Sequence, residues 1–450
     1  MQHEGTTIVA VSTPPGTGGL AVIRMSGPKT LDILAKRWRG KNPIDFKSHT
    51  AHLGWILDSE DEDVDQVVVT VFRAPNSYTG EDVVEISCHG SRWIQNAVVN
   101  SLVEAGAAAA GPGEFTQRAF MNGRLDLVQA EGIADMILAS SKASARLART
   151  QLKGDFSKRF EGLRTQLVNL GVLLELELDF SEEDVEFADR KKLIDLAREI
   201  LKVVRRLADS FKAGNVFKNG VPVAIAGVPN AGKSTLLNAL IGEEKAIVSD
   251  IPGTTRDAIE DTIEINGILF RLIDTAGLRE TADRIERIGV DKARQKIEDA
   301  AIVLHLIDPT QDLAMQLSVM DATAAEESGK KILVSTKGDI SRWEGKEDII
   351  AISAKEEWGI EELKARLAME ATSEFNPENE LIVTNARHYE ALKRAVPSLE
   401  RLIDGLESGL SADFLAQDLR EAERSLGEIT GSVSSDEILH TIFSRYCIGK

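Results

Sequence analysis

Residues 227–234 read GVPNAGKS, and this stretch decides the fold of the middle of the chain. It fits G-x-x-x-x-G-K-[ST], follows the apolar run VPVAIA and opens the helical run STLLNALIG, the strand–loop–helix context the motif requires. Backbone N–H groups of such a loop close on a β-phosphate, and the helix N-terminus adds positive potential. Lys233 is placed to reach the β- and γ-phosphates and Ser234 to ligate Mg²⁺. A chance glycine loop is the bland reading, and the flanking elements argue against it.

Working outward, strand-like runs alternate with helical ones from about 218 to 378: VPVAIAG, AIEDTIEI, ILFRLIDTAG, AIVLHLID, KILVST and DIIAIS, with KSTLLNALIG and GIEELKARLAMEA between or after them. This is the alternation of a doubly wound α/β domain. Asn266–Gly267, between two such runs, reads as a tight hairpin turn.

Three further elements choose the nucleotide. DTAG (Asp274–Gly277) closes a strand, as a Walker-B aspartate followed by a γ-phosphate-sensing glycine does. TKGD (Thr336–Asp339) follows KILVS, and SAK (Ser353–Lys355) follows DIIAI. A carboxylate at Asp339 accepts two hydrogen bonds from guanine N1 and N2, which adenine does not offer, and the Ala354 amide meets guanine O6. TKGD alone reads equally well as a surface turn, but in this order the four elements predict a GTPase. Thr336 stands where most GTPases carry asparagine. A hydroxyl makes fewer hydrogen bonds than an amide, so a lower guanine affinity is expected. The expected nucleotide set is Asn230, Ala231, Gly232, Lys233, Ser234 and Thr235; Ser249, Thr254 and Thr255; Asp274, Thr275, Ala276 and Gly277; Thr336, Lys337 and Asp339; and Ser353, Ala354 and Lys355.

The position after DTAG that holds a water-orienting glutamine in Ras-like GTPases is Leu278, which orients nothing. Another device is needed for hydrolysis. The Asn230 side-chain oxygen is placed to ligate a monovalent cation beside the phosphates, supplying charge that an arginine finger gives elsewhere. A plain turn residue is the other reading of Asn230. In SDIPGTTRD (Ser249–Asp257), at the switch I location, Thr255 is the candidate Mg²⁺ ligand, and Ser249, Ile251 and Thr254 are candidates to surround the cation. Glu286, in the switch II region, is either a water-orienting carboxylate or a solvated charge on an amphipathic helix.

The rest of the chain frames this domain. At 450 residues, about three domains of roughly 150 residues each are expected. With 43% hydrophobic and 28% charged residues the chain can bury real cores. Two cysteines, Cys88 and Cys447, make no disulfide framework, so a reducing compartment is expected. The first residues show no signal-peptide pattern, and no apolar run is long enough to span a bilayer, so a cytoplasmic location without membrane association is predicted. The charge balance, 53 Lys+Arg against 72 Asp+Glu for a net −19, repels polyanions, and nucleic-acid binding then needs a local basic patch or a partner.

Residues 1–118 mix β-rich runs (TIVAVST, LAVIRMSG, QVVVTVF, DVVEISCHG) with Pro/Gly loops and read as an α+β domain. Residues 119–217 turn helical, with an acidic break at LDFSEEDVEF where Ser181 is a plausible N-cap. Residues 379–450 are helical again and are expected to pack against 119–217, which makes the α/β domain an insertion in a helical one.

GVPNAGKSTLLNAL, AIVSDIPGTTRD, DTAGLRE…RIERIG and the terminal CIGK together resemble the MnmE (TrmE) family of tRNA modification GTPases. The resemblance runs through TPPGTGGLAVIRMSG, NSYTGEDVVEISCHG and GPGEFTQRAFMNGRLDLVQAEGIADMI, and so covers essentially the whole chain. It implies an N-terminal folate-binding-like dimerisation domain, a helical bundle and an inserted Ras-like P-loop GTPase domain. It implies a homodimer working with the FAD-dependent MnmG (GidA) in a heterotetramer or larger complex. That complex modifies C5 of the tRNA wobble uridine with a one-carbon unit from 5-formyl- or methylene-tetrahydrofolate.

The family's K⁺ ligands fall on Asn230, Ser249, Ile251 and Thr254, its Mg²⁺ ligands on Ser234 and Thr255, and its water-orienting glutamate on Glu286. The folate positions fall on Arg24, Glu85 and Arg124, with Lys450 near the site; Arg24 and Glu85 read equally as a structural ion pair. Some relatives carry lysine at position 124. RYCIGK (Arg445–Lys450) fits prenylation poorly, since lysine is not a usual last residue. With the resemblance, Cys447 becomes a candidate catalytic thiol. The competing reading is a regulatory GTPase switch that controls an RNA–protein assembly without folate chemistry.

Overall fold

The computed structural model describes residues 5–179, 190–242, 261–274, 298–316, 318, 329–341, 349–376, 380–433, 436–444, 446 and 449. The chain divides into two compact units. One comprises Met1–Ala134, Leu152–Glu161 and Gly427–Lys450, and the other Asp135–Gln151 and Gly162–Leu426. The architecture is α+β in the first and α/β with added helices in the second. Among the described residues no helix is long and apolar enough to cross a membrane.

In the first unit β1 (Ile8–Val11), β2 (Leu20–Ser26), β3 (Trp38–Arg39), β4 (Thr50–Leu57), β5 (Asp63–Phe72), β6 (Val83–His89) and β7 (Ala108–Ala109) form one sheet. Its order is β3-β4-β5-β6-β2-β1-β7, antiparallel except for the β1–β7 pair. The period-2 alternation of these strands buries one face: Ile23, Met25, Val67, Val69, Ile86 and Cys88 share a core with Leu34, Val98 and Leu102. Leu34 lies on α1 (Thr30–Lys36), and Val98 and Leu102 lie on α2 (Arg92–Glu104).

Strands β1, β2, β5 and β6 coincide with the β-rich runs of the sequence, whereas β4 has no such run because Gly54 interrupts its pattern. A Cβ at Gly54 would lie 2.3 Å from Cζ2 of Trp38, so glycine here makes room for the indole of the neighbouring strand. The helices α3 (Glu114–Met121) and α4 (Leu127–Leu138) follow. Phe120, Leu127 and Ala130 pack against Leu439, Ile442, Phe443 and Tyr446 near the end of the chain.

In the second unit β8 (Val221–Gly227), β9 (Asp261–Ile265), β10 (Ile268–Asp274), β11 (Ile302–Ile307), β12 (Lys330–Ser335) and β13 (Ile349–Ala351) form a sheet in the order β13-β12-β11-β8-β10-β9. All pairs are parallel except β9–β10. All six residues of β11 are buried, as expected where helices cover both faces of a parallel sheet. Asn266 and Gly267 take φ of 51° and 80°, the left-handed pair that a two-residue hairpin needs.

The helical run from Leu125 to Leu152 is two helices, with α5 (Lys142–Leu152) starting at a reciprocal Ser141/Ser144 capping pair. Ala143 and Leu147 of α5 belong to the same buried cluster as Val223, Ile225, Phe270 and Leu304 of the α/β sheet. The other helices among the described residues are α6 (Asp155–Asp179), α7 (Arg190–Asn219), α8 (Lys233–Ile241), α9 (Ile360–Ala371), α10 (Ala386–Glu407), α11 (Ala412–Thr430) and α12 (Asp436–Phe443). Residues 193, 197, 200, 204 and 207 of α7 are all buried, a single stripe at helical spacing. Phe211 of α7 stacks on Tyr389 of α10 at 4.5 Å, and Arg198 reaches Glu407 at 2.5 Å. Ser181, the expected N-cap, lies outside the described residues.

Candidate functional site

The phosphate loop joins the C-terminal end of β8 to α8. Val228 and Ala231 are buried and anchor it, while Asn230, Ser234 and Thr235 are exposed on its outer side. Asn230 sits at φ 64° and Gly232 at 95°, so successive peptide N–H groups turn toward one concavity. Lys233 Nζ bridges the carbonyls of Gly227 and Val228, both at 2.9 Å, which holds the ammonium across the loop.

TKGD and SAK meet this loop at the same edge of the sheet, beyond the C-terminal ends of β8, β11, β12 and β13. Thr336 is buried, and its hydroxyl donates to the carbonyl of Ala231 at 2.8 Å and of Ile307 at 3.3 Å. The residue in the asparagine position therefore ties TKGD to the phosphate loop. Asp339 Oδ1 accepts from Ser353 Oγ at 2.9 Å, and Gly338 N donates to Ile352 O at 3.0 Å, which joins TKGD to SAK. Ser353 is fully buried, while Ala354 and Lys355 lie on the turn beyond it. Asp274 pairs with Ile225 across β10 and β8, so the start of DTAG is beside the strand that feeds the phosphate loop. Ser249, Ile251, Thr254, Thr255, Thr275, Ala276, Gly277, Leu278 and Glu286 lie outside the described residues.

Sequence reasoning missed Asp308, at the end of β11. It is fully buried, and Lys337 Nζ donates to it at 2.6 Å. Burial alone pushes its carboxyl up, but bonds from Lys337, Thr310 and Gln311 outweigh that and hold it below the ordinary value. The signal was present: an aspartate closing AIVLHLID and followed by Pro-Thr is an Asx-turn pattern.

In the first unit Arg24 and Glu85 are direct cross-strand neighbours on β2 and β6. Arg24 donates to Glu85 Oε1 from Nη2 at 2.7 Å and from Nε at 3.0 Å. The guanidinium also lies over the rings of Tyr78 (5.0 Å) and Phe115 (5.8 Å). Burial raises the Tyr78 hydroxyl pKa, against the bond to Thr116 and the charge of Arg24. Arg124 is exposed, its stem near Gly80, and is joined by hydrogen bond or ion pair to neither Arg24 nor Glu85.

Cys447 and Lys450 lie outside the described residues, but Gly449 between them is buried and its carbonyl accepts from Ser12 Oγ at 2.9 Å. Cys88 is buried, its thiol pushed up to about 11 chiefly by burial and then by the charge of Asp65.

A phosphate loop, a strand-terminal DTAG, and TKGD and SAK braced against each other define a P-loop guanine-nucleotide hydrolase. The sequence profile described as the MnmE helical domain matches residues 127–447, and that of the GTP-binding protein TrmE N-terminus matches residues 7–124. The tRNA modification GTPase MnmE of Cytophaga hutchinsonii is 49% identical, over 99% of this chain and 98% of its own. That of Parabacteroides distasonis is 48% identical, over 99% and 100%. Among solved structures, the G domain of the T. maritima FeoB iron transporter is 30% identical over 34% of this chain and 99% of its own, with a TM-score of 0.27. The chain belongs to the MnmE family of tRNA modification GTPases, and by that membership it is a GTP-hydrolysing enzyme.

Proposed function

We propose that the chain is a K⁺-dependent GTPase that modifies C5 of the wobble uridine of tRNAs in the cytoplasm. It works as a homodimer with an FAD-dependent MnmG partner and a folate-derived one-carbon unit. The observation that carries this reading is the near-complete coverage of MnmE relatives at 48–49% identity.

Within it, Lys233 neutralises the β- and γ-phosphates, and the loop amides orient them. Asp339 takes the guanine edge, with the Ala354 amide on O6. The exposed Ser234 hydroxyl on the first turn of α8 fits an Mg²⁺ ligand, and the exposed Asn230 oxygen in its left-handed turn fits a K⁺ ligand. Thr255 joins the first, and Ser249, Ile251 and Thr254 the second. When bound, these cations supply the positive charge that offsets the growing charge on the phosphates. Glu286 orients the attacking water in place of the missing glutamine.

In the first unit, Arg24, Arg124 and Lys450 suit folate carboxylates, and Glu85 suits pteridine N–H donors. The Arg24–Glu85 pair leaves Oε2 of Glu85 for a ligand, since both guanidinium bonds use Oε1. Cys447 is the thiol that acts near the uridine. With a net charge of −19, tRNA is held by a local basic patch or by a surface of the partner. The domains divide functionally at 1–118, 119–217, 218–378 and 379–450.

The decisive experiment is nucleoside analysis of tRNA from cells lacking the gene, with and without complementation. Loss of the C5 modification and its return with the wild-type chain support the reading. Unchanged wobble uridine, together with GTP-dependent co-sedimentation with ribosomes, establishes the regulatory switch instead. Equal hydrolysis rates in Na⁺ and K⁺ buffers would sink the cation assignment.

A further inference from the structure

The loop 336–339 is held at three points by three different elements. Thr336 reaches back to the phosphate loop, Asp339 reaches across to Ser353, and between them Lys337 reaches sideways to Asp308. Lys337 is also the one residue of the four whose backbone is left-handed without being glycine, at φ 54°. An L side chain resists that region, and it persists where the surroundings over-determine it. Here the Lys337 carbonyl accepts from Ile340 N at 2.8 Å and Ser341 N at 3.1 Å, and its ammonium ends on Asp308.

Asp308 is built to be a fixed point. Its Oδ1 accepts from Thr310 N at 3.0 Å and Thr310 Oγ1 at 2.6 Å, and its Oδ2 from Gln311 Nε2 at 2.7 Å as well as from Lys337. Its backbone is clamped in turn by the buried carboxamide of Gln316, which accepts from Asp308 N at 2.8 Å and donates to Asp308 O at 2.9 Å. A carboxylate with four donors cannot swing, so the ammonium it holds cannot either. With a hydroxyl where an amide is usual at position 336, the motif has one anchor of reduced hydrogen-bonding capacity, and the sideways pair to Asp308 takes a larger share of its positioning.

We propose that Asp308 is a positioning residue for guanine-nucleotide binding, setting the place of Lys337 and through it the register of Asp339 against the base. The inference rests on the reading of TKGD as the guanine site. Thr310 and Gln311 support it by fixing the carboxylate, and Gln316 by fixing the Asp308 backbone. None of the four touches nucleotide in this scheme; their effect is on affinity, not on the chemical step.

The test is a double-mutant cycle in the full chain, with equilibrium titration of a fluorescent GDP analogue and steady-state GTP hydrolysis. Asp308→Asn and Lys337→Met are each expected to weaken GDP binding about tenfold, and the double variant no further than the worse single, as for two ends of one interaction. For Asp308→Asn the loss should appear in KM, with kcat held within about twofold. Losses that multiply in the double variant, or GDP affinity for Asp308→Asn within twofold of wild type, overturn the proposal. Should Asp308→Asn fail to fold, Thr310→Val and Gln311→Ala each remove part of the carboxylate's support; undiminished GDP affinity in both likewise overturns it. Failure of the guanine reading itself looks different. There the wild-type chain shows no preference for GDP over other purine nucleotides, and Asp339→Asn leaves selectivity unaltered.

Discussion

Replacing Thr336 by valine keeps the volume and β-branching of the side chain and deletes one hydroxyl. That hydroxyl donates to the Ala231 carbonyl at 2.8 Å and, less well, to Ile307 at 3.3 Å. Ile307 keeps a backbone bond from Thr336 N at 2.9 Å, so the carbonyl that loses most is that of Ala231, in a buried position of the phosphate loop. A buried acceptor deprived of its donor costs about 1–3 kcal/mol. Valine leaves no cavity, so no packing cost is added and the lower half of that range, about 1–2 kcal/mol, is expected. Because the broken bond fixes the loop that must cradle phosphates, most of the loss should be felt as affinity, about tenfold at about 1.4 kcal/mol. Titration of a fluorescent GDP analogue reads it directly, with urea unfolding to separate any global effect. Thr336→Ser, which keeps the donor, should bind GDP within about threefold of wild type. If Thr336→Val binds GDP as tightly as wild type, the hydroxyl does not brace the loop and the reasoning is refuted.

Other expectations follow from the same contacts. Leu147→Ala removes a side chain only 5% exposed in the α/β core and should lower stability by about 2–4 kcal/mol, seen as a reduced urea midpoint; a loss below about 1 kcal/mol would deny α5 its place there. Gly267→Ala puts a Cβ at φ 80° and 3.0 Å from Cβ of Lys142, costing about 1–2 kcal/mol of strain that the same assay detects. Cys88, with its thiol pushed up to about 11, should be only about one part in a thousand thiolate at pH 8; a Cys447→Ser chain should leave Ellman's reagent almost unreacted until denatured. The Asp308 carboxyl is held below its ordinary 3.8, so the stability it contributes is complete above that value and disappears as pH falls through the lowered one. Asp308→Asn should therefore show its largest stability deficit near neutrality and converge on wild type in acid unfolding curves, and a constant deficit across that range counts against the pair.

The phosphate loop, the six strands of the α/β sheet and the Asn-Gly hairpin were legible because each is written in one contiguous stretch. What escaped depends on residues far apart in the chain. Thr336 looked like a weakened base contact; its bond to Ala231 spans 105 positions and gives it a structural task. Arg24 and Glu85, 61 positions apart, suggest a ligand site or an ion pair in sequence, and the fold makes them cross-strand partners joined through one oxygen. Asp308 carried a local turn signal, but nothing local says that a lysine 29 residues later ends on it. The strand β4 was lost to Gly54, whose reason is Trp38 on the next strand. Helix α5 read correctly as helix; its burial with the α/β sheet was invisible, because an apolar stripe does not name the surface it covers.

That burial means the GTPase is not a cassette. A fragment cut at residues 218 and 378 leaves behind Ala143, Leu147, Phe217 and Ile382, four buried members of its own core. Such a fragment presents raw apolar surface where those side chains belong, and kinetic constants measured on it describe a wounded domain. The same holds for chimaeras. A G domain exchanged between relatives must bring its own 141–151 segment, or be matched to the one it meets, although residues 152–217 separate the two in the chain.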